Sequence, residues 1–264
     1  MELSPSTQFT FVTTLDEAGL SFGSRPSFAY YRRDLEVLLA RPSTGLIVTP
    51  NLDHLRLLNR LAALRRAYRD ADVVLNDSRF LNKLSLKNRV LVMPGSELAP
   101  LMLAHARENA RILVIGCDDA VRKDLPGRFQ HVQFTFIEPS MGFVRKRSER
   151  RDIVRQALDL APALTFVCTG APQSELLAAQ LKRAGLRGDI LCCGSAFRFL
   201  AGSATRAPLW TRKLGAEWAF RFITEARTRK RYMADALFLA RNFPMFVSLR
   251  LTGKARFSRY EIRT

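Results

Sequence analysis

Three histidines and four cysteines in 264 residues leave little material for a metal centre or a disulfide framework. Cys117, Cys168, Cys192 and Cys193 sit inside apolar runs with no C-x-x-C spacing, so they read as small core residues of a chain kept in a reducing compartment. His54, His105 and His131 are scattered singly. No G-x-G-x-x-G, Walker A loop, H-E-x-x-H helix or G-x-S-x-G elbow occurs, which removes support for dinucleotide binding, P-loop hydrolysis, zinc proteolysis and serine hydrolysis. A stretch of about 18 uncharged apolar residues is missing too. The most apolar late segment, residues 234–251, is interrupted by Asp235, Arg241, Asn242 and Pro244. Residues 1–10 show no basic region followed by an apolar core, so no signal peptide is expected.

What is present is a folded composition, 47% hydrophobic and 25% charged, with a formal net charge of +18. That surplus favours phosphate-bearing partners: nucleic acid, an anionic bilayer or a diphosphate substrate. Its arginine bias also fits a base-composition effect, so distribution is the better guide. Residues 206–264 carry fourteen basic side chains against four acidic ones, more than half of the net charge. The same stretch holds Trp210, Trp218, Phe220, Phe222, Tyr232, Phe238, Phe243 and Phe246 and reads as a basic, aromatic-rich helical appendage. Arginines interleaved with aromatics suit a membrane interface; an ordinary packed helix with a solvated basic face is the alternative.

Upstream, short apolar runs alternate with helix-length amphipathic segments, the pattern of an α/β fold with a parallel sheet and crossover helices. The expected strands are 45–49, 72–75, 111–116, 132–137, 164–169 and 189–193. The expected helices are 53–69, 97–108, 120–129, 149–159 and 174–184. Each strand runs into a turn cluster, such as Thr49-Pro50-Asn51, Asn76-Asp77-Ser78, Pro94-Gly95-Ser96, Gly170-Ala171-Pro172 or Gly194-Ser195. In open α/β sheets ligands bind beyond the carboxyl ends of the strands. Glycine beside a helix start suits a phosphate without a metal, although each cluster alone is also ordinary turn chemistry. Asp77, after Val73-Val74-Leu75, is placed to act as a general base or as an N-cap. Glu175, in a first helical turn, is placed to bind a sugar hydroxyl or to complement the helix dipole.

Read in order, Ile47-Val48-Thr49-Pro50-Asn51 with His54, Asp72 through Asp77, Pro94-Gly95-Ser96-Glu97-Leu98, Pro139 to Phe143, Gly170-Ala171-Pro172 with Glu175, Phe199 to Gly202, and Arg206-Ala207-Pro208-Leu209-Trp210 followed by Glu217-Trp218, Arg221 and Arg231-Tyr232 resemble the WecG/TagA/CpsF glycosyltransferases. The resemblance implies a Rossmann-like parallel sheet over 1–205 and a membrane-docking appendage over 206–264 that helps complete the active site. It implies an inverting, metal-independent transfer of a hexose or N-acetylhexosamine derivative from a UDP-sugar to an undecaprenyl-diphosphate-linked saccharide. Such work serves exopolysaccharide, capsule or cell-wall polymer synthesis at the inner face of the plasma membrane. No cofactor is implied beyond the UDP-sugar co-substrate.

By the same resemblance Asp77 falls on the catalytic base. Thr49, Asn51, Gly95, Ser96, Glu97, Gly170, Pro172 and Glu175 fall on the substrate pocket, and Arg206, Arg221 and Arg231 on groups that close over the diphosphate. Exchange between monomer and homo-oligomer is implied as well. The chain departs from the family's usual residues at Ser78, Val92, Ser174 and Arg198, and Arg89 is the nearest arginine to the Pro94-Gly95 pair. Two other readings stand beside this one. Charge alone admits a basic nucleic-acid-binding α/β protein, against which stand the clustering of charge beside aromatics and the lack of a DNA- or RNA-binding signature. The other is a catalytically silent, membrane-associated member of the family.

Overall fold

The computed structural model describes residues 7–10, 45–84, 92–204, 208, 211, 217–224 and 229–263. Strand β1 is Thr7–Thr10, β2 is Leu46–Val48, β3 is Val73–Val74, β4 is Arg111–Ile115, β5 is Gln133–Ile137, β6 is Leu164–Val167, β7 is Asp189–Cys192, β8 is Lys254–Phe257 and β9 is Tyr260–Arg263. The helices are α1 Leu52–Arg60, α2 Ala62–Asp70, α3 Arg79–Leu84, α4 Gly95–Ala104, α5 Asp119–Arg128, α6 Arg147–Leu160, α7 Gln173–Arg183, α8 Ala196–Leu200, α9 Glu217–Thr224, α10 Arg229–Arg241 and α11 Phe243–Thr252.

Six strands form one sheet in the order β3-β2-β7-β6-β4-β5, and every neighbouring pair is parallel. All six expected strands are in it, each trimmed by one or two residues at its ends. Parallel strands need crossovers, and helices laid on both faces bury the inner strands, while the edge strand β5 stays partly exposed. Alternation therefore divides each strand between two cores. Leu46, Val48, Leu113 and Ile115 face one cluster with Leu55, Tyr68, Ile153 and Leu177 of α1, α2, α6 and α7. Ile47, Ile112 and Val114 face the other, with Leu98, Met102, Val121 and Phe197 of α4, α5 and α8.

One expected helix, 53–69, is two. The chain is extended at Leu61 (φ −107°, ψ 106°), which ends α1 and starts α2. The break frees the Leu58 carbonyl, and Arg65 Nη1 donates to it at 2.6 Å. The re-aimed α2 turns Leu64, Ala67 and Tyr68 into the core, so packing outweighs helical continuity.

The C-terminal stretch is helical only in part. After α11, Gly253 adopts the left-handed conformation (φ 72°) and the chain enters an antiparallel hairpin of β8 and β9. Lys254 and Arg256 point outward while Ala255 and Phe257 are buried, a period of two inside a segment read from sequence as helical. The parallel pairing of β9 with β1 makes a second, three-stranded sheet that sequence reading missed.

The aromatic residues of this region divide as well. Phe238 and Phe246 belong to the same core as the body, stacking with Phe257 and, through it, Tyr260, at centroid distances of 5.0 to 6.0 Å. Tyr260 donates its hydroxyl to the Leu55 carbonyl at 2.7 Å, and Arg56 Nε donates to Asp235 at 2.8 Å, so α10 and the hairpin are fastened to α1. Phe243 is exposed, whereas Phe222 and Tyr232 are half-buried. Trp210 and the expected boundary at 205/206 lie outside the described residues.

If these rings are core, Phe246→Ala costs about 3–5 kcal/mol of unfolding free energy, measured by chemical denaturation of the whole chain. A loss below about 1 kcal/mol, the scale of a surface change, would contradict the packing described.

Candidate functional site

Because the six strands are parallel, the loops after β2, β3, β4, β6 and β7 emerge on one edge. The β3 end of that edge is built from the loops after β2 and β3. Asn51 ends the first loop and caps α1: its Oδ1 accepts from the Asp53 N–H at 3.1 Å. That contact fixes which end of the amide is oxygen, and Nδ2 then donates to Asp77 Oδ2 at 3.3 Å. Asp77 itself is half-buried, beyond the carboxyl end of β3, with its N–H bonded to the Pro50 carbonyl at 3.1 Å. Ser78, not Asp77, caps α3, its Oγ accepting from the Leu81 N–H at 3.2 Å.

Thr49 is buried and donates to the Cys192 carbonyl at 3.1 Å, tying the β2 loop to the end of β7. The N-terminus of α4 closes in from the other side. A Cβ at Gly95 would stand 3.0 Å from Cys193 Cα and 3.3 Å from Thr49 Oγ1, so glycine allows this approach without displacing either neighbour. Ser96 and Glu97 follow in the first turn, and Glu97 pairs with Arg79 at 3.1 Å. The first N–H groups of a helix have no partner within it and, with the helix dipole, suit an anion.

The loop Gly170-Ala171-Pro172 leads from β6 into α7 and carries Glu175 inward. Glu175 is 3% exposed, and its Oε1 lies 3.1 Å from His54 Nε2. Its Oε2 has no hydrogen-bond partner among the described residues. Burial lowers the His54 pKa, but the Glu175 carboxylate, with smaller help from Asp53 and Asp77, outweighs it and leaves the value raised. His54 Nδ1 faces Asn51 Oδ1 at 2.9 Å. One continuous polar chain thus runs from Glu175 through His54 and Asn51 to Asp77.

The structure therefore brings Thr49, Asn51, Asp77 and Gly95 together, with Glu175 behind them and Ser96 and Glu97 alongside. Of the three arginines, Arg206 lies outside the described residues and the Arg221 side chain is undescribed. Arg231 is half-buried on α10, one turn before Asp235, with its guanidinium 4.7 Å over the Tyr232 ring and Nη2 donating to the Tyr232 hydroxyl at 3.0 Å. Its buried Nε has no partner among the described residues. Arg89 also lies outside them.

Three features escaped sequence reading. The sequence places His54 only within a motif, whereas its partner in the fold is 121 residues away. Arg198, one of the departures, pairs with Asp118 at 3.0 Å, where Ser203 also donates at 3.0 Å, pinning the loop after α8 to the N-cap of α5. Burial raises the Asp118 pKa, but the Val121 N–H, Ser203 and Arg198 outweigh it and hold the carboxyl below its usual value. Asp235 is pushed upward by burial despite its bond to Arg56.

Among known proteins, the sequence profile described as Glycosyl transferase WecG/TagA/CpsF family matches residues 24–252. No curated protein sequence matches the chain. The profile spans most of the chain, which therefore belongs to the WecG/TagA/CpsF glycosyltransferase family.

The raised His54 pKa has a consequence for stability. Folded protein holds a proton that the unfolded chain releases near pH ~6.5, so this contribution is complete below that value and is lost as pH rises through the higher folded pKa. Unfolding free energy measured across that window is expected to fall more steeply with pH for the wild type than for Glu175→Gln, which removes the counter-charge. Equal slopes would mean that the folded protein keeps His54 neutral.

Proposed function

We propose, with membership of the WecG/TagA/CpsF glycosyltransferase family as the premise, that this chain is an inverting transferase with Asp77 as its base. The donor is a UDP-activated hexose or N-acetylhexosamine derivative, and the acceptor is a saccharide on undecaprenyl diphosphate. The observation that carries this reading is the half-buried Asp77 carboxylate at the carboxyl edge of the sheet, steered by Asn51 and beside the N-terminus of α4.

In the reaction, Asp77 takes the proton of the acceptor hydroxyl as that oxygen attacks the anomeric carbon. The bond from that carbon to the UDP oxygen breaks, UDP leaves with the electron pair, and the configuration inverts. Charge growing on UDP is met by the first-turn N–H groups of α4, around Gly95, Ser96 and Glu97, and by Arg206, Arg221 and Arg231. The buried Nε of Arg231, which has no hydrogen-bond partner among the described residues, supports that role. No metal is needed for a leaving group stabilised in this way. Thr49, Gly170 and Pro172 form the wall of the pocket.

A lipid-linked acceptor calls for a membrane surface. No helix among the described residues is long and apolar enough to cross a bilayer. The C-terminal helices instead present Met233, Leu237, Phe243 and Leu251, each more than half exposed, among Arg229, Lys230, Arg241 and Arg250. Apolar side chains beside cations suit the headgroup region of anionic lipid, which supports docking at the inner face of the plasma membrane.

The test is UDP release by the full chain with a panel of UDP-sugars and a short-chain lipid-diphosphate saccharide. Asp77→Asn is expected to lower turnover by about 10²- to 10⁴-fold with the fold retained. Turnover that survives the substitution removes Asp77 from the chemistry, and no release with any donor favours the silent reading. Replacing Phe243 and Leu251 together by serine is expected to reduce co-sedimentation with anionic vesicles while activity on a water-soluble acceptor persists. Unchanged co-sedimentation would place the contact elsewhere.

A further inference from the structure

Two of the four cysteines meet at the ends of neighbouring strands. Val167 of β6 and Cys192 of β7 form the last in-register pair of their ladder, and the Cys193 N–H still reaches the Val167 carbonyl at 3.2 Å. Cys168 and Cys193 follow directly, side by side on the carboxyl edge, with their Sγ atoms 3.5 Å apart. Both pack with the core face that also holds Cys117, whereas Cys192 belongs to the opposite one. Among the described residues no other pair of thiols makes such a contact.

We propose that Cys168 and Cys193 are a redox modification site, at which a hydroperoxide converts the two thiols into a disulfide that ties the loop after β6 to the end of β7.

The backbone suits that bond. Neighbouring strands lie about 4.8 Å apart, within the ~4.4–6.8 Å between α-carbons that a disulfide spans. The sulfurs must approach by about 1.5 Å to reach the bonded distance of about 2.0 Å. Room for the movement lies just beyond each cysteine. Gly170 and Gly194 adopt the left-handed conformation (φ 80° and 52°), and a Cβ at either would meet nothing within 4 Å. Both chains therefore leave the sheet through open space and can shift without a clash.

Unequal access orders the reaction, because Cys168 is partly exposed and Cys193 is buried. The Cys168 sulfur, as thiolate, attacks one oxygen of the hydroperoxide, the O–O bond breaks, and a sulfenic acid forms as water or an alcohol departs. The Cys193 sulfur then attacks the Cys168 sulfur, the S–O bond breaks, and the leaving hydroxide takes up the thiol proton as water. With hydrogen peroxide, two thiols lose two electrons in all and one peroxide is reduced to two waters. The hydrogen bond with Cys193 and burial push the Cys168 thiol well up, so the first step is slow at neutral pH. The second joins sulfurs already in contact, so it outruns further oxidation to the sulfinic acid. A dithiol reductant reverses the bond by exchange. The other thiols have no such neighbour, and burial pushes Cys117 up to about 12 and Cys192 well up.

The bond acts on the edge that holds Asp77. Gly95, at the start of α4, packs on Cys193 Cα, and the adjacent Cys192 carbonyl holds Thr49. Cys168 leads into Gly170-Ala171-Pro172. Drawing the two sulfurs together moves these segments relative to one another. An effect on turnover rests on the transferase reading, in which they line the donor pocket; the disulfide itself does not.

The experiment treats the folded full chain, freed of reductant, with hydrogen peroxide, then denatures and alkylates it and maps its peptides by mass spectrometry without reduction. A link between Cys168 and Cys193 is expected, with Cys117 and Cys192 alkylated; fragmentation of the linked peptide separates Cys193 from Cys192, and dithiothreitol should remove the link. A Cys168 that stays free, ends as sulfinic or sulfonic acid, or bridges to another cysteine overturns the proposal. Cys193→Ser should lose the link and let Cys168 pass beyond the sulfenic acid. In parallel, UDP release is expected to fall about tenfold or more once the link has formed and to recover with dithiothreitol, while Cys168→Ser keeps its rate through the same treatment. Full turnover by the linked protein refutes the effect on the pocket. If the reduced protein turns over no donor, the transferase reading fails, and the peptide map still decides whether the disulfide site is real.

Discussion

Parallel pairing throughout the central sheet is the constraint from which the site follows. Strands that all run one way discharge their loops at one edge, whatever their order in the chain. Residues separated by more than a hundred positions, such as His54 and Glu175, become neighbours there because β2 and β6 flank β7. The connections after β4 and β6 leave in opposite directions, toward β5 and toward β7, which opens a crevice between the two strands at the same edge. Asp118, at the end of β4, is held there by Arg198 and Ser203. The sheet thus assembles one polar corner around β2 and β3 and a second polar cluster around β4 on one continuous rim.

The central strands were legible because burial on both faces writes them as short apolar runs, Leu46-Ile47-Val48 or Ile112-Leu113-Val114-Ile115, each bounded by turn residues. Helix boundaries were legible to within two residues wherever a cap marked them, as Asp118 does for α5. The break at Leu61 was not, because no proline or glycine announces it; tertiary packing of Leu64 and Tyr68 makes it, and the Arg65 guanidinium compensates the carbonyl it frees. The terminal hairpin was hidden by composition. Lys254-Ala255-Arg256-Phe257 follows a helix and is rich in basic residues, so its alternation reads as one more turn of an amphipathic helix.

For the site, local motifs showed which residues matter but not which ones touch. Asp77 was identified as a strand-end carboxylate, and Asn51 as a loop residue with a family counterpart, yet their contact depends on the register that sets Val48 beside Val74. Glu175 had two readings, a sugar contact or a dipole complement. The structure adds a partner to both: one oxygen is taken by His54, while the other has no hydrogen-bond partner among the described residues. An isolated histidine within a helix ordinarily reads as core filler, and only coordinates show that Nε2 meets the Glu175 carboxylate while Nδ1 meets the backbone N–H and side-chain oxygen of Asn51.

The C-terminal region resolves a conflict between its charge and its aromatic content. A basic, aromatic-rich tail suggests a surface that gives all its rings to lipid. Here the rings do two jobs, with Phe238, Phe246, Phe257 and Tyr260 filling the core while Phe243 stays outside. The division matters mechanically. An appendage that only dangled from the body would transmit nothing to the edge that holds Asp77, whereas α10 is fixed to α1 by the Arg56–Asp235 pair, and α1 is the helix capped by Asn51. Burial pushes the Asp235 pKa upward and its bond to Arg56 opposes that shift, while Arg56 is held in turn by Asp53 in the first turn of α1. Breaking one partner of such a buried network costs more than the pair contributes to stability, because a charge is left stranded. α10 and the Asn51 cap that bonds Asp77 therefore meet on one helix, so in the proposed function a membrane contact on α10 or α11 sets the approach of the sheet edge to a lipid-borne acceptor.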